Sequence, residues 1–221
     1  MTMNPLFRAL NPAKSLRRAL TQMRSNAQGI AAVEFALILP IMLLMYFGSA
    51  ELTKGILVNR QVTLATHSMV DLLAQQNANI TDTQITNIFL AGQKVMGSNA
   101  SGLAVTLSSI KFVLHAGSLT IFDAKTMWSV TQSSNPLRPC TVLTPDNSTT
   151  LTPDVTKVPA GFYTGPGTIL VADVIYTYPS PFNLTLPFYT SPPTLLFTRA
   201  YFNTPRNTSS IAYTGAGTVC P

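Results

Sequence analysis

One unbroken apolar stretch lies near the start of the chain. From Val33 to Ala50 every residue is apolar or small except Glu34, and a run of this length crosses most of a hydrocarbon core of about 30 Å. The sequence therefore predicts one long helix over residues 30–77, whose first part, residues 30–50, spans a membrane. Pro40 is expected to kink this helix locally, because it removes a backbone hydrogen bond and clashes with the preceding turn.

Helical spacing of apolar residues continues beyond the membrane segment. The apolar positions three to four residues apart are Leu52, Ile56, Leu57, Leu64, Met69, Leu72 and Leu73. This pattern predicts that the outer part of the helix carries an apolar stripe, which a sheet is expected to cover. A second helix should follow, because Thr81 and Gln84 have the spacing of a capping box and Gly97 comes after the last apolar position.

Alternation with period two replaces the helical pattern after residue 102. The alternation changes phase after Ser108 and Ser109, which indicates a bulge or a bend. Further strands are predicted at residues 119–122, 127–130, 168–178 and 195–202, whereas residues 133–167, with six prolines, are predicted to be rich in loops. Helices followed by strands in a chain of this size favour an α+β fold, with an antiparallel sheet packed on the exported helix.

The formal charge of +6 is distributed unevenly. Five basic and no acidic residues precede Gly29, whereas residues 51–221 hold nine Lys and Arg against seven Asp and Glu. Positive charge on one side of a span predicts that this side is cytoplasmic and that the other side is exported. The chain therefore divides into a basic leader at 1–29, a transmembrane helix at 30–50 and an exported domain at 51–221. Nucleic acid is not an expected partner, because no recognition motif accompanies the charge.

The two cysteines, Cys140 and Cys220, both lie in the exported part. An oxidising compartment permits a disulfide between them, and two independent thiols are the alternative. Their spacing matches no metal site, and His67 and His115 have no other ligand near them in sequence. Because no catalytic grouping of Ser, His and Asp occurs either, we expect no enzyme activity, cofactor or metal site, and an anchored periplasmic enzyme is the remote alternative.

Glu34 places a carboxylate at the start of the apolar run. An ionised carboxylate inside a bilayer costs about 2.5–3.5 kcal/mol on insertion scales, and less near the interface, so it requires a partner or a purpose. An ordinary secretory signal cleaved near Phe47–Ala50 is one alternative. It would leave Glu34 without a role, and the apolar run is long for such a signal. A prepilin-type signal accounts for both features.

The opening segment resembles that of TadE-like proteins, which are pseudopilins of the tight-adherence, Flp-type IVb pilus machinery. The residues that carry this resemblance are Gly29, Glu34-Phe35-Ala36-Leu37, Pro40, Gly48 and Glu51. Three short stretches near the other end are similar to the tail of TadE and TadG proteins, namely Tyr176–Pro179, Arg199-Ala200 and Thr204–Arg206. The resemblance implies a single-pass protein of the bacterial inner membrane, with a cytoplasmic N-terminus and a periplasmic or extracellular domain.

The resemblance also implies partners and roles for individual residues. A prepilin peptidase would cut after Gly29 and leave Ile30 as the new N-terminus, with Glu34 and Phe35 close behind it. The freed amine of Ile30, on the same or a neighbouring subunit, would then pair with Glu34. Glu34 and Pro40 are expected to set the packing and register of α-helices from other pilin-like subunits. Ile30 departs from the Phe or Met usual after the cut, so the alternative is an uncleaved, TadG-like envelope anchor.

Overall fold

The computed structural model describes residues 29–133, 135–147, 154–179 and 195–220. The chain forms two compact units, Met1–Ala50 and Glu51–Pro221. Most of the predicted leader, residues 1–28, lies outside the described residues. Helix α1 covers Ile30–Ala74 and contributes to both units. The long N-terminal helix is thus confirmed, although it ends at Ala74 rather than at residue 77.

The part of α1 in the first unit is exposed throughout. Every residue from Ile30 to Ser49 is solvent-exposed, although most of these side chains are large and apolar. The helix is long and apolar enough to cross a membrane by length and composition, and it continues through Pro40. An exposed apolar helix of this kind is consistent with a membrane anchor.

The part of α1 in the second unit buries only some residues of the predicted stripe, together with smaller residues outside it. Its buried apolar residues are Val58, Val62, Ala65, Met69, Val70, Leu73 and Ala74. The expectation that the sheet covers the apolar stripe is confirmed at Met69 and Leu73. It is wrong at Leu52, Ile56, Leu57 and Leu64, because these four side chains are exposed. The covered face carries smaller side chains, mainly Val and Ala, which allow the helix to lie close to the sheet.

Helix α2 covers Asp82–Met96 and begins and ends where the sequence predicts. The backbone N–H of Thr81 donates to Gln84 Oε1 at 2.9 Å, as in a capping box. Gly97 ends the helix with φ 57°, a conformation that favours glycine. Gly92 allows α2 to approach α1, because a Cβ at this position would collide with the Met69 side chain.

The sheet contains most of the strands among the described residues. The strands are β1 Asn79–Ile80, β2 Leu103–Leu114, β3 Phe122–Gln132, β4 Val142–Asp146, β5 Lys157–Pro159, β6 Gly167–Tyr178, β7 Leu195–Asn203, β8 Ala212–Tyr213 and β9 Thr218–Val219. The main sheet has the order β5-β4-β3-β2-β6-β7, with β9 paired to β3, and β1 and β8 form a separate parallel pair. Within the main sheet only β4 and β5 pair in parallel. The α+β fold with a largely antiparallel sheet is therefore confirmed.

The change of phase along β2 has two causes. The register between β2 and β3 shifts at Ser109 and Ile110, where Met127 is an extra residue on β3. This is the expected bulge, although it lies on the partner strand. Strand β2 itself pairs with β6 without interruption. Its apolar residues change sides because Leu107 packs in the core beneath the helices, whereas Ile110 packs in a second core on the opposite face.

The Pro-rich segment covers this second face of the sheet. Leu143 of β4 and Val158 of β5 pack there against Ile110, Phe112 and Val171. Residues 133–167 were predicted to be rich in loops, yet they contribute two short strands and part of a core. The central strands are consequently buried on both faces, which explains why β6 reads as an almost continuous apolar run.

Candidate functional site

The predicted processing site lies where α1 begins. Gly29 directly precedes Ile30, the first residue of α1, and no other atom lies within 4 Å of the position that a Cβ of Gly29 would occupy. Glu34 and Phe35 follow in the second turn and are exposed. An uncrowded position of this kind is what a peptidase needs in order to reach a backbone bond.

Glu34 has no ion-pair partner among the described residues. Residues four apart share one face of a helix, with Cβ atoms about 5–6 Å apart, so Ile30 and Glu34 are neighbours. A free amine at Ile30 would place a cation on this face, next to the positive end of the helix dipole. An amine at Ile30 would therefore lie within reach of the Glu34 side chain on the same face of α1.

Glu51 is a second acidic residue on α1, and it belongs to the second unit. Both of its carboxylate oxygens are buried, and among the described residues neither has a partner in good hydrogen-bond geometry. The Tyr178 side chain from the end of β6 lies close enough to sense this charge. Burial raises the pKa of the Tyr178 hydroxyl, and the Glu51 carboxylate raises it further. Glu51 is one of the residues that carry the TadE-like resemblance, but the sequence pattern gave no indication of Tyr178 as its neighbour.

A buried ion pair, which the sequence pattern did not reveal, joins the Pro-rich segment to the centre of the sheet. Arg138 Nε and Nη2 donate to the two carboxylate oxygens of Asp173 at 2.7 and 2.8 Å. The Arg138 side chain is 0% exposed and that of Asp173 is 3% exposed. Arg138 Nη1 also donates to the backbone oxygen of Lys157 at 2.9 Å. Burial raises the pKa of the Asp173 carboxyl, and the Arg138 guanidinium counteracts this effect.

The polar contacts around this ion pair hold the Pro-rich segment in place and do not form an open binding site. Asn135 Nδ2 donates to the backbone oxygen of Asp173 at 2.9 Å, and the Arg138 backbone N–H donates to Ser129 Oγ at 3.1 Å. Ser129 in turn shares a hydrogen bond of 2.9 Å with Ser108. Because the pair is enclosed and its charges are balanced, it is suited to positioning the chain and not to chemistry.

The segment 203–220, which we name the C-terminal strap, crosses the ends of both helices. The backbone N–H of Arg206 donates to the Ala74 oxygen at 2.9 Å, and that of Thr214 donates to the Ile80 oxygen at 3.0 Å. Trp128 Nε1 donates to the Ile211 oxygen at 2.7 Å. These contacts tie the strap to α1, to β1 and to the sheet.

The strap ends in a disulfide between Cys140 and Cys220, with Cα atoms 5.3 Å apart. This separation lies in the usual range for a disulfide. The predicted pairing is therefore confirmed, and the alternative of two independent thiols is wrong. The bond joins the end of the chain to the segment that carries Arg138.

The two histidines lie apart from each other. The His67 ring stacks on Tyr201 with centroids 3.7 Å apart, and His115 Nδ1 lies 3.0 Å from the Asp123 carboxylate. Among the residues with described positions, no group of three or more His, Cys, Asp and Glu side chains could hold a metal ion.

Comparison with known proteins assigns the N-terminal region. Residues 29–68 match the TadE-like protein family. The match begins at Gly29 and includes Glu34, Pro40 and Glu51, which carry the resemblance seen in the sequence. No curated protein and no solved structure matches the chain. Residues 29–68, which comprise Gly29 and most of α1, are a TadE-like family domain.

Proposed function

We propose that the protein is a membrane-anchored pseudopilin that acts in the assembly of a tight-adherence, Flp-type pilus. The observation that carries this proposal is the coincidence of the TadE-like domain with an exposed apolar helix that begins at Ile30. Its role is non-enzymatic: α1 packs with the helices of other pilin-like subunits, and the second unit caps or initiates the fibre. A prepilin peptidase removes residues 1–29 on the cytoplasmic side.

The exposed residues on the outer part of α1 support helix packing between subunits. Leu52, Ile56, Leu57 and Leu64 are 66%, 48%, 55% and 60% exposed. Apolar side chains at this spacing on a helix outside the bilayer favour contact with another apolar surface. Because the sheet covers the opposite side of α1, this stripe is available to a neighbouring subunit in the same assembly.

The orientation follows from two features on opposite sides of the anchor. The basic residues of the leader favour a cytoplasmic N-terminus. The disulfide between Cys140 and Cys220 favours an oxidising compartment for the second unit, such as the periplasm or the cell exterior. The protein thus crosses the inner membrane once, in the direction that pilin-like proteins use.

Identification of the N-terminal residue of membrane-extracted protein tests the processing step. Mass spectrometry should find Ile30 as the first residue in cells that contain a prepilin peptidase, and an uncut chain in cells that lack it. Gly29→Val should abolish the difference, whereas Gly48→Val, at an equally open glycine of α1, should leave it intact. Met1 or Thr2 at the N-terminus in peptidase-positive cells would instead support the uncleaved, TadG-like anchor.

Substitution of Glu34 tests, independently of cleavage, whether this residue sets the register between the helices of neighbouring subunits. Glu34→Gln keeps the size of the side chain and removes its charge, so mature protein should form but pilus assembly should fall by about tenfold or more, as for the loss of a buried pair. Asp71→Asn, at a half-exposed acid of α1 beyond the apolar run, is the control on the same helix and should leave assembly intact. If Glu34→Gln assembles normally while processing also proceeds normally, Glu34 does not set the register.

A further inference from the structure

The buried face of α1 repeats similar side chains every four residues. One row of this face consists of Val58, Val62, Thr66, Val70 and Ala74. Residues four apart lie one above the other on a helix, about 6 Å apart along its axis. A displacement of the sheet by one such step would bring Val62 to the place of Val58, with the same shape in contact. The apolar contacts of this row therefore specify only weakly how far along α1 the sheet packs.

The second buried row is less regular, but its irregularity acts on the other helix. This row consists of Ala65, Met69 and Leu73. Its largest member, Met69, contacts α2 at Gly92. The fit between these two residues specifies how the two helices pack against each other, so it leaves the alignment between α1 and the sheet to other contacts.

A polar row runs along α1 beside the buried face. It consists of Asn59, Thr63, His67 and Asp71, which are also spaced by four residues. Strand β7 contacts this row with alternate residues, which lie on one face of the strand. These residues are Arg199, Tyr201 and Asn203. We name the contacts between the two rows the polar seam.

Arg199 makes two contacts in the polar seam. Its Nη2 donates to Asn59 Oδ1 at 2.6 Å, and its Nε donates to Thr63 Oγ1 at 3.3 Å. The Thr63 hydroxyl itself donates to the Asn59 backbone oxygen at 3.1 Å, so towards Arg199 it can only accept. Arg199 Nη1 donates to the Thr198 oxygen at 2.7 Å. The guanidinium is thus held in one orientation by donors on all three of its nitrogens.

The next two contacts of the polar seam have a different chemistry. The Tyr201 ring stacks on the His67 ring, with centroids 3.7 Å apart. Asn203 Nδ2 donates to Asp71 Oδ1 at 2.7 Å. Each position along the seam therefore has its own kind of partner, in contrast to the similar residues of the first buried row.

The strand and the helix have repeats of similar length. Two residues of a strand span about 6.6 Å, and four residues of a helix span about 6 Å. Three successive contacts consequently stay aligned. A displacement by one step would place Arg199 beside His67 and Tyr201 beside Asp71, so the matched contacts of the seam would be lost.

We propose that the polar seam sets the register of the sheet along α1, with Arg199 as its main positioning residue. A polar contact in a repetitive apolar interface specifies one alignment, as a single polar residue does in a coiled coil. The two regions that carry the family resemblance meet at this seam. Asn59 and Thr63 lie within residues 29–68, and Arg199 belongs to the stretch that is similar to the TadE and TadG tail.

The register has a consequence for assembly, and this consequence rests on the proposed function. Leu57 and Leu64 are exposed on the same part of α1. Their position relative to the sheet depends on the register, so the polar seam determines which combined surface of helix and sheet a neighbouring subunit meets.

Distances between spin labels on α1 and on the sheet test the register in the full chain in detergent. Arg60→Cys on α1 and Lys111→Cys on β2 provide labels at exposed positions, while both native cysteines are held in the disulfide. Lys111 pairs with Thr168 of β6, two residues beyond the Leu170–Asn203 pair. The two labels are therefore separated along α1, and a displacement by one step should change their distance by about 4–6 Å.

Double electron–electron resonance should find one distance in the labelled protein with an intact seam. Arg199→Met should add a second, discrete distance. Asn59→Val combined with Thr63→Val should do the same from the side of α1, and it keeps the test available where Arg199→Met does not fold. Asn99→Ala is the matched control, because it removes a bond of 3.0 Å to Gln61 of α1 that does not involve β7. It should keep the single distance.

A single unchanged distance in both seam variants overturns the proposal. A distribution that only broadens also overturns it, because loss of a merely structural contact loosens the unit without favouring a second register. Emission of the buried Trp128 shows which variants are folded. Pilus assembly is measured separately. Two distances together with normal assembly would support the register role of the seam and instead contradict the proposed packing of Leu57 and Leu64.

Discussion

Arg138 and Asp173 place two opposite charges where water does not reach them. Removing charges from water is costly, and the two short contacts of the guanidinium, with a further bond to the Lys157 oxygen, offset much of this cost. The net gain in stability from such a pair is small. Its main effect is specificity, because it fixes one position of the Pro-rich segment on the sheet.

Asp173→Asn should be strongly destabilising, because it leaves the Arg138 charge buried without a counter-charge. We expect the free energy of unfolding of the second unit to fall by about 3–5 kcal/mol. Denaturation of the full chain in detergent, followed through the fluorescence of the buried Trp128, measures this change.

Arg206→Gln is the matched control for the buried pair. Arg206 forms an ion pair with Asp71 at 3.1 Å, but both side chains are about half exposed. Exposed pairs contribute about 0–1 kcal/mol, so this substitution should have little effect. Equal losses from Asp173→Asn and Arg206→Gln would mean that the enclosure of Arg138 has no energetic consequence.

The C-terminal strap acts on α2 through the first residue of the helix. Asp82 accepts hydrogen bonds from the Tyr213 hydroxyl and from the Ala216 N–H. Both bonds favour the ionised form, so the pKa of Asp82 is lowered, first by Tyr213 and then by Ala216. A negative charge at the N-terminus of a helix is also favourable. Asp82 therefore joins helix capping to strap docking.

The contribution of Asp82 should depend on pH in one direction. Because the pKa of Asp82 is lower in the folded state than that of an ordinary aspartate, the stabilisation is complete above the ordinary pKa and is lost as the pH falls through the folded pKa. Tyr213→Phe should lower the midpoint of thermal unfolding at pH 6, and the difference from wild type should shrink towards pH 2. Circular dichroism over this pH range measures both.

Tyr163→Phe is the control for Tyr213→Phe, because it also removes a tyrosine hydroxyl but leaves Asp82 unaffected. The Tyr163 hydroxyl donates to the Leu143 oxygen at 2.9 Å, an acceptor that does not titrate. Its effect on the unfolding midpoint should be constant between pH 2 and pH 6. If Tyr213→Phe behaves in the same way, the bond to Asp82 does not contribute to acid sensitivity.

The long and regular elements could be predicted from sequence because the apolar residues of each one follow a single helical or strand spacing. Helix α2 carries both of its end signals in Thr81 and Gly97, and β6 was placed to within one residue of its start. The short strands β1, β4, β5, β8 and β9 were missed, since two to five residues are too few to show alternation. The predicted strand at 119–122 is wrong except for its last residue, because the rest of it lies in the loop before β3. The prediction of the covered face of α1 is correct only near its C-terminal end, at Met69 and Leu73, because spacing alone does not tell which of two apolar stripes the sheet selects.

The candidate site was predictable in part for similar reasons. Gly29 and Glu34 stand out because a lone carboxylate at the edge of an apolar run is rare. The disulfide followed from there being two cysteines. Asp173 interrupts an apolar strand, which was a usable signal for a buried ion pair. Its partner Arg138 was not predictable, since an arginine in a Pro-rich segment is ordinarily solvated.

At the scale of the whole molecule, the disulfide links the C-terminal strap to the Pro-rich segment. The bond between Cys140 and Cys220 encloses β4 to β9 in one loop with a sequence separation of 80. Strand β9 adds only two paired residues to β3, so its hydrogen bonds alone provide weak attachment. The disulfide thus holds the strap in place over α2 and, through Cys140, restricts the segment that carries Arg138.

Removal of the disulfide should destabilise the second unit and release the strap. Cys140→Ser combined with Cys220→Ser should lower the free energy of unfolding by about 4–5 kcal/mol on the chain-entropy estimate for a loop of this length. Protease should then cut first within the strap, because docking to Ile80 and Asp82 no longer has covalent support. Reduction of the wild-type protein should reproduce both effects and leave the double variant unchanged. If the variant keeps wild-type stability and an uncut strap, the hydrogen bonds of residues 203–219 suffice without the disulfide.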